Sequence, residues 1–192
     1  LKIVAYPIIQ SGLKTVIMDN LEVIGHKQVE LVTSWMHERL KDVIVIASNP
    51  NVVNSVKTTA NEKGYKDTVK YMETLVNEYG YKGAFISNNK GSIILATSED
   101  RVGNDISNMD LFKHAIQGKT FSTGIIPSKV PLINEFDEYE TGLPTMFVAS
   151  PLKDDDENII GIVVLRLHVS ILSNLMQNYA YGKTGESYLV NG

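Results

Sequence analysis

The sequence predicts an α+β fold, in which one long N-terminal helix leads into a small antiparallel sheet of five strands. Three observations carry this. Apolar residues recur at helical spacing from about Leu13 to Ala47. Five strand-like segments follow: Gly83–Ser87, Ser92–Thr97, Thr120–Ile126, Pro144–Leu152 and Ile159–His168. A polar loop and a short helix, around Met109–Gln117, lie between the second segment and the third.

The long helix changes its apolar face along its length. Ile17, Leu21, Ile24, Gln28, Leu31 and Trp35 recur every three or four residues, the spacing of a helix–helix seam. From Val29 a second row takes over, with Val32, Met36, Leu40, Val43 and Ala47. The first half suits a partner helix and the second half a sheet. At 1.5 Å per residue the helix is on the order of 50 Å long, more than one small sheet covers. Its N-terminal half therefore packs on a second subunit, or the helix spans two consecutive domains of one chain.

Asn49 and Pro50 mark a break and a restart, since Asn caps helices well and Pro is tolerated at the first helical position. A further helix is expected over about Asp67–Tyr79, capped by Asp67 and stopped at Gly80. Asn88, Asn89, Lys90 and Gly91 form a turn cluster that joins the first two strands as a hairpin. Asn108 is placed to cap the short helix and Gly118 to end it. The later strands are apolar on both faces, so the sheet must be covered on both. The long helix serves one face. The segment 98–118 serves the other, and a cavity beneath such a cover is a natural small-molecule site.

Composition narrows the function. The 192 residues suffice for one sizeable core or a domain with a piece of another. Eighteen basic residues against 22 acidic ones are scattered, so no basic stripe argues for nucleic acid. The chain has no cysteine, which removes disulfides, thiolate metal sites and a thiol nucleophile. No uncharged apolar run approaches the roughly 20 residues that cross a bilayer. The start at Leu1 and the end at Gly192, inside a strand-like segment, suggest a piece of a longer protein whose membrane anchors lie outside it.

Catalytic motifs are missing. Gly182-Lys183-Thr184 has Gln177 where a phosphate-binding loop needs glycine. His26, His37, His114 and His168 form no zinc-type pair, and no nucleophile elbow or dinucleotide fingerprint occurs. Asp154, Asp155, Asp156 and Glu157 are consecutive, whereas calcium loops alternate their ligands, so a solvated turn is expected there. The same holds for the acidic loop 134–140. No catalytic residue, metal site or cofactor is expected. A long helix feeding a small sheet, with no catalytic motif, suggests a sensor.

Several segments resemble double Cache sensor domains. They are Gly83–Ser98 (GAFISNNKGSIILATS), Val102–Ser107 (VGNDIS), Leu111–Gly118 (LFKHAIQG), Pro144–Leu152 (PTMFVASPL) and Ile160–Val164 (IGIVV). Lys183–Val190 (KTGESYLV) is similar to the first strand of the family's membrane-proximal module. The resemblance implies a PAS-like, extracytoplasmic, non-enzymatic sensor domain of a bacterial or archaeal transmembrane receptor: a histidine kinase, a chemoreceptor or a diguanylate cyclase. It implies a stalk helix over 1–48, a membrane-distal module over 49–168, a connecting helix over 169–181 and the start of a proximal module over 182–192. It also implies a homodimer through the N-terminal helix, a membrane-anchored parent protein and a small-molecule ligand in the distal module.

Amino-acid-binding members carry Tyr, Arg, Trp and Tyr before and into the short helix and Asp on the last strand. Those places fall on Asn104, Met109, Leu111, Phe112 and Arg166, where only Phe112 keeps an aromatic ring. Free amino acids are therefore not the expected ligand. Arg166 has the planar fork that suits a carboxylate or phosphate. It either holds a small anionic ligand of the carboxylate type, or lies at an exposed strand end, or pairs with Asp105 or Asp110. Phe85, Phe121, Thr123, Ile125, Val148 and His168 complete the expected ligand surroundings. The alternative function is a ligand-free dimerisation module of a membrane receptor.

Overall fold

The computed structural model describes residues 2–57, 62–134, 136 and 138–177. The resemblance at Lys183–Val190, the Gly182-Lys183-Thr184 motif, the end of the expected connecting helix and two acidic residues, Glu135 and Asp137, lie outside the described residues. The chain divides into two compact units, one holding residues up to Met36 together with the segment from Ser170, the other His37–Val169.

In the first unit, α1 begins at Lys2 and continues to Ala47, so the helix starts eleven residues before Leu13 and passes through Pro7. Trp35 is buried, whereas Leu13, Val16, Leu21, Val23 and Val29 are exposed. A short helix, α5 (Ser170–Gln177), buries Leu172 and Met176. The Gln28 side-chain amide donates to the Met176 carbonyl at 3.0 Å.

The second unit receives the end of α1, where Val43, Ile46 and Ala47 are buried. Asn49 then caps α2 (Pro50–Ser55), its side chain accepting from Asn51 N at 2.9 Å. Next comes α3 (Lys63–Tyr79), which begins four residues earlier than Asp67. Glu62 stands at its N-cap with no side-chain cap bond, and it closes at Gly80 in the left-handed conformation. The added turn is exposed apart from Tyr65, and the Lys66 amide already donates to the Glu62 carbonyl at 3.3 Å, so the helical ladder begins ahead of the cap chemistry that pointed to Asp67.

The sheet comprises β1 (Gly83–Asn88), β2 (Ile93–Ala96), β3 (Phe121–Ser122), β7 (Pro144–Lys153) and β8 (Ile159–Leu167), in the order β2-β1-β8-β7-β3. Every pairing is antiparallel. The expected fold class and five-stranded sheet are thus present. The third expected strand is broken: Thr123–Ile125 leaves the ladder, and β4 (Ile126–Pro127) rejoins β7 further along. Just before the segment read as an acidic loop, β5 (Leu132–Ile133) pairs with β6 (Tyr139–Glu140) at that segment's end as a small hairpin. Between β2 and β3 lie a 3-10 turn (Glu99–Arg101) and α4 (Asp110–Ala115). Met109, not Asn108, occupies the N-cap of α4.

The register fixes the two sheet faces. Phe147 pairs with Arg166, Ala149 and Phe85 with Val164, and Gly83 with Arg166. These residues share one face. Val148 pairs with Leu165 and lies on the other, where Ile86, Val163 and Leu165 are fully buried and α3 packs on β1 and β2. Among the described residues no helix is long and apolar enough to cross a membrane.

Candidate functional site

The face that carries Arg166 is covered by the segment after β2. Part of the space beneath the cover is filled. Leu111, Phe112 and Ala115 of α4 pack with Ile106, Ala149, Ile162 and Val164 into an apolar core. Towards the other end of β8 the same sheet face offers Gly83 and Ala96, which leave volume that larger side chains would occupy. A cavity of about 790 Å³ opens there. Its floor is Phe85, Ile93, Thr145, Phe147 and Arg166.

Two segments form its walls. The first is the loop 98–111, which contributes Arg101, Asn104, Asp105, Ile106, Met109 and Leu111. Backbone bonds fix this loop to β2: Ile93 N donates to Asn104 O at 2.9 Å, Gly103 N to Ile93 O at 2.8 Å and Ile106 N to Gly91 O at 2.9 Å. The second wall is 121–132, from Phe121 through Thr123, Ile126 and Val130 to Leu132. Phe121 stacks on His114 of α4 with ring centroids 4.1 Å apart, which ties the two walls together. Thr123 leaves the ladder but stays bound to β7: its N–H donates to Phe147 O at 2.9 Å, and its hydroxyl accepts from Phe147 N at 3.0 Å.

Of the residues singled out in the sequence, Phe85, Asn104, Met109, Leu111, Phe121, Thr123 and Arg166 line this cavity. Four do not. Phe112 is buried in the apolar core beside it. Val148 is fully buried on the opposite sheet face, because the register gives that position to Phe147. Ile125 is displaced by Ile126, since the break after Ser122 shifts the alternation. His168 follows the last residue of β8 and is half-buried outside the lining. The second wall was missed beyond Ile125. Gly124 and Pro127 were the available signals that a plain strand would not run through.

Arg166 is the chemically distinctive group. Its Nε donates to the hydroxyl of Thr145, itself buried, at 3.2 Å. Neither Asp105 nor Asp110 pairs with it. Asp105 accepts from Ser107 N at 2.8 Å and Ser107 Oγ at 3.1 Å, and these bonds hold its carboxyl below the usual range. Asp110 lies 3.5 Å from Lys113. Among the described residues no carboxylate comes within pairing distance of Arg166. Burial first, and the Arg101 guanidinium second, lower its pKa from the ordinary value. An arginine stays charged all the same. A half-buried cation without a counter-charge is costly, so an anion in the cavity would stabilise it.

The other acidic turn folds on itself. Asp154 Oδ1 accepts from Asp156 N at 3.0 Å and Asn158 N at 2.9 Å, a self-contained turn in the β7–β8 connection.

No protein-family profile and no curated protein match this sequence. Solved structures do match its fold. The sensor domain of the V. cholerae histidine kinase DctB superposes with a TM-score of 0.65 at 13% identity, over 88% of this chain and 60% of that one. The E. coli DcuS sensor domain gives 0.56 at 15% identity, over 73% of this chain and 93% of that one. The ligand-binding domain of the Campylobacter jejuni chemoreceptor Tlp3, solved with L-valine, gives 0.56 at 14% identity, over 87% of this chain and 65% of that one. This chain therefore spans about 60% of the DctB domain. The fold is the one these receptor sensor domains share.

Proposed function

We propose that this chain is a ligand-binding sensor domain, without enzymatic activity, from the extracytoplasmic part of a membrane-anchored signalling receptor. Its ligand is a small anion of the carboxylate type, held in the cavity against Arg166. The observation that carries the reading is the half-buried Arg166, oriented by Thr145 and facing a cavity of about 790 Å³ with no acidic partner among the described residues. The volume is in the range of small-molecule sites. Phe85, Phe121, Phe147 and Ile126 supply the apolar surface that would hold the rest of the ligand.

The fold neighbours include one solved with an amino acid. Here a cation stands at Arg166 where amino-acid-binding members place an aspartate for the ammonium, so the reading favours an acid without that group. Occupancy would draw the 98–111 wall towards the sheet and alter packing at the end of α1, which would carry the signal along the helix. The homodimer belongs to this reading too, supported by exposed Leu13, Val16 and Leu21 on α1. The same exposed residues are what a ligand-free dimerisation module would show.

Calorimetry with a panel of small carboxylates, on the wild type and on Arg166→Ala, separates the two. At 100 times its dissociation constant a true ligand stabilises the fold by about 2.7 kcal/mol, so a thermal-shift screen finds candidates first. Binding that disappears in Arg166→Ala supports the sensor reading. Equal binding by both proteins removes Arg166 from the site, and a panel without any binder favours the dimerisation module.

A further inference from the structure

The lining of the cavity changes character with depth. The polar side chains Lys82, Asn104, Asp105, Asp110 and Lys129 are exposed and stand at its mouth. Deeper, Ile93, Ile106, Leu111 and Leu132 are buried. The hydroxyls there are already engaged. Thr145 accepts from Arg166 at 3.2 Å, and Ser128 donates to the Val130 carbonyl at 2.6 Å. Thr97 is bonded to the Ala84 amide at 3.1 Å and to its carbonyl at 3.3 Å. Inside the mouth the surface is thus mainly apolar, with the Arg166 guanidinium in its floor.

Phenylalanine concentrates at the same place. Three of the chain's five, Phe85, Phe121 and Phe147, line the cavity. They come from three strands, β1, β3 and β7. Each packs against the apolar core under α4 but is only partly buried, so ring surface is left uncovered on the cavity side. The register puts two of them beside the cation. Phe147 stands directly opposite Arg166, and Phe85 lies diagonally from it, two residues along β1 from Gly83. Such neighbours on one sheet face are about 5 Å and about 7–8 Å apart. A carboxylate on Arg166 therefore brings whatever it carries onto these rings.

Size points the same way. An apolar cavity of about 150 Å³ is enough for benzene. An acid no larger than butyrate would leave most of the 790 Å³ here to water and leave the rings wet. An apolar body laid on them gains the burial that a small acid forgoes. We propose that the cavity takes a monocarboxylate with a bulky apolar body, its single charge on Arg166 and its body against Phe85, Phe121 and Phe147. This rests on the reading that Arg166 marks an anion site, and it adds the chemistry of the rest of the ligand. Arylalkanoates and medium-chain alkanoates share that chemistry.

Calorimetry at fixed ionic strength tests this with acetate, butyrate, hexanoate and octanoate, with 3-phenylpropionate, and with the neutral 3-phenylpropanol. Affinity should rise about fourfold for each added methylene, so octanoate should bind at least about a hundredfold more tightly than butyrate. Whichever of octanoate and 3-phenylpropionate leads identifies the aliphatic or the aromatic source. Phe147→Ala should weaken both at least about tenfold more than it weakens butyrate. Val130→Asn, a polar change in the half-buried second wall, should act in the same direction if Phe147→Ala does not fold. Arg166→Ala should weaken every acid by a similar factor. Acetate and butyrate that bind as tightly as octanoate and 3-phenylpropionate would overturn the selection for an apolar body and leave the anion site intact. A size preference unchanged in both wall variants would overturn the placement of the body on these rings. If 3-phenylpropanol binds as tightly as 3-phenylpropionate, or no acid binds, the anion-site reading fails and this one with it.

Discussion

Replacing Gly91 by alanine should loosen the loop wall of the cavity, and the cost follows from two separable terms. Gly91 has φ +90°, a conformation that strains an L side chain by about 1 kcal/mol or more. A Cβ there would also stand 2.7 Å from the Ser107 Cβ and 2.8 Å from its Cα and N. Carbon atoms rest at about 3.5–4.0 Å, so Ser107 must retreat by roughly 0.7 Å or more. Overpacking of this kind costs about 1–3 kcal/mol. The total for Gly91→Ala is about 2–4 kcal/mol. Gly103 supplies the control, since it has the same φ of +90° with nothing within 4 Å of its Cβ position. Gly103→Ala should therefore cost only about 1 kcal/mol. Urea denaturation measures both. Hydrogen exchange should quicken at the Ile106 amide, which donates to Gly91 O, more than at Val163 in the centre of the sheet. If Gly91→Ala and Gly103→Ala lost equal stability, the close approach of Ser107 would not be what fixes the wall.

Two other perturbations probe the second unit. The Tyr81 hydroxyl donates to Asp42 Oδ2 at 2.5 Å, and burial together with this bond raises its pKa. Tyr81→Phe should cost about 2 kcal/mol in urea denaturation, the range for a bond to a charged group, and a loss below about 0.5 kcal/mol would show the bond to be dispensable. Burial, then Lys82 and Arg166, lower the pKa of His168, so the unfolded chain takes up its proton more readily than the folded one. Stability should then fall as pH drops below the ordinary histidine value of about 6.5, and His168→Gln should flatten that part of the melting-temperature profile. An unchanged acid slope in the variant would remove His168 from the pH response.

The sheet was legible because its strands are continuous apolar runs between turn residues, and the Asn88–Gly91 cluster placed the first hairpin. The start of α3 was not, because Asp67 offers cap chemistry whereas the actual N-cap, Glu62, makes no side-chain cap bond. Parity was the other weak point. Pro144–Leu152 is apolar on both faces, so alternation could not choose between Phe147 and Val148, and only pairing with β8 decides. Arg166 stood out because a cation in an apolar strand requires an explanation. Arg101 did not, since it sits among polar loop residues and becomes notable only when the fold sets it beside the same cavity.

The most direct test of the central claim is a crystal structure of the chain with the tightest-binding anion from the calorimetric panel. The account predicts ligand oxygens within about 3 Å of the Arg166 guanidinium, beneath the 98–111 loop and against Phe85 and Phe147. An anion seated elsewhere on the protein, with the cavity filled only by water and Arg166 turned away from it, would contradict it.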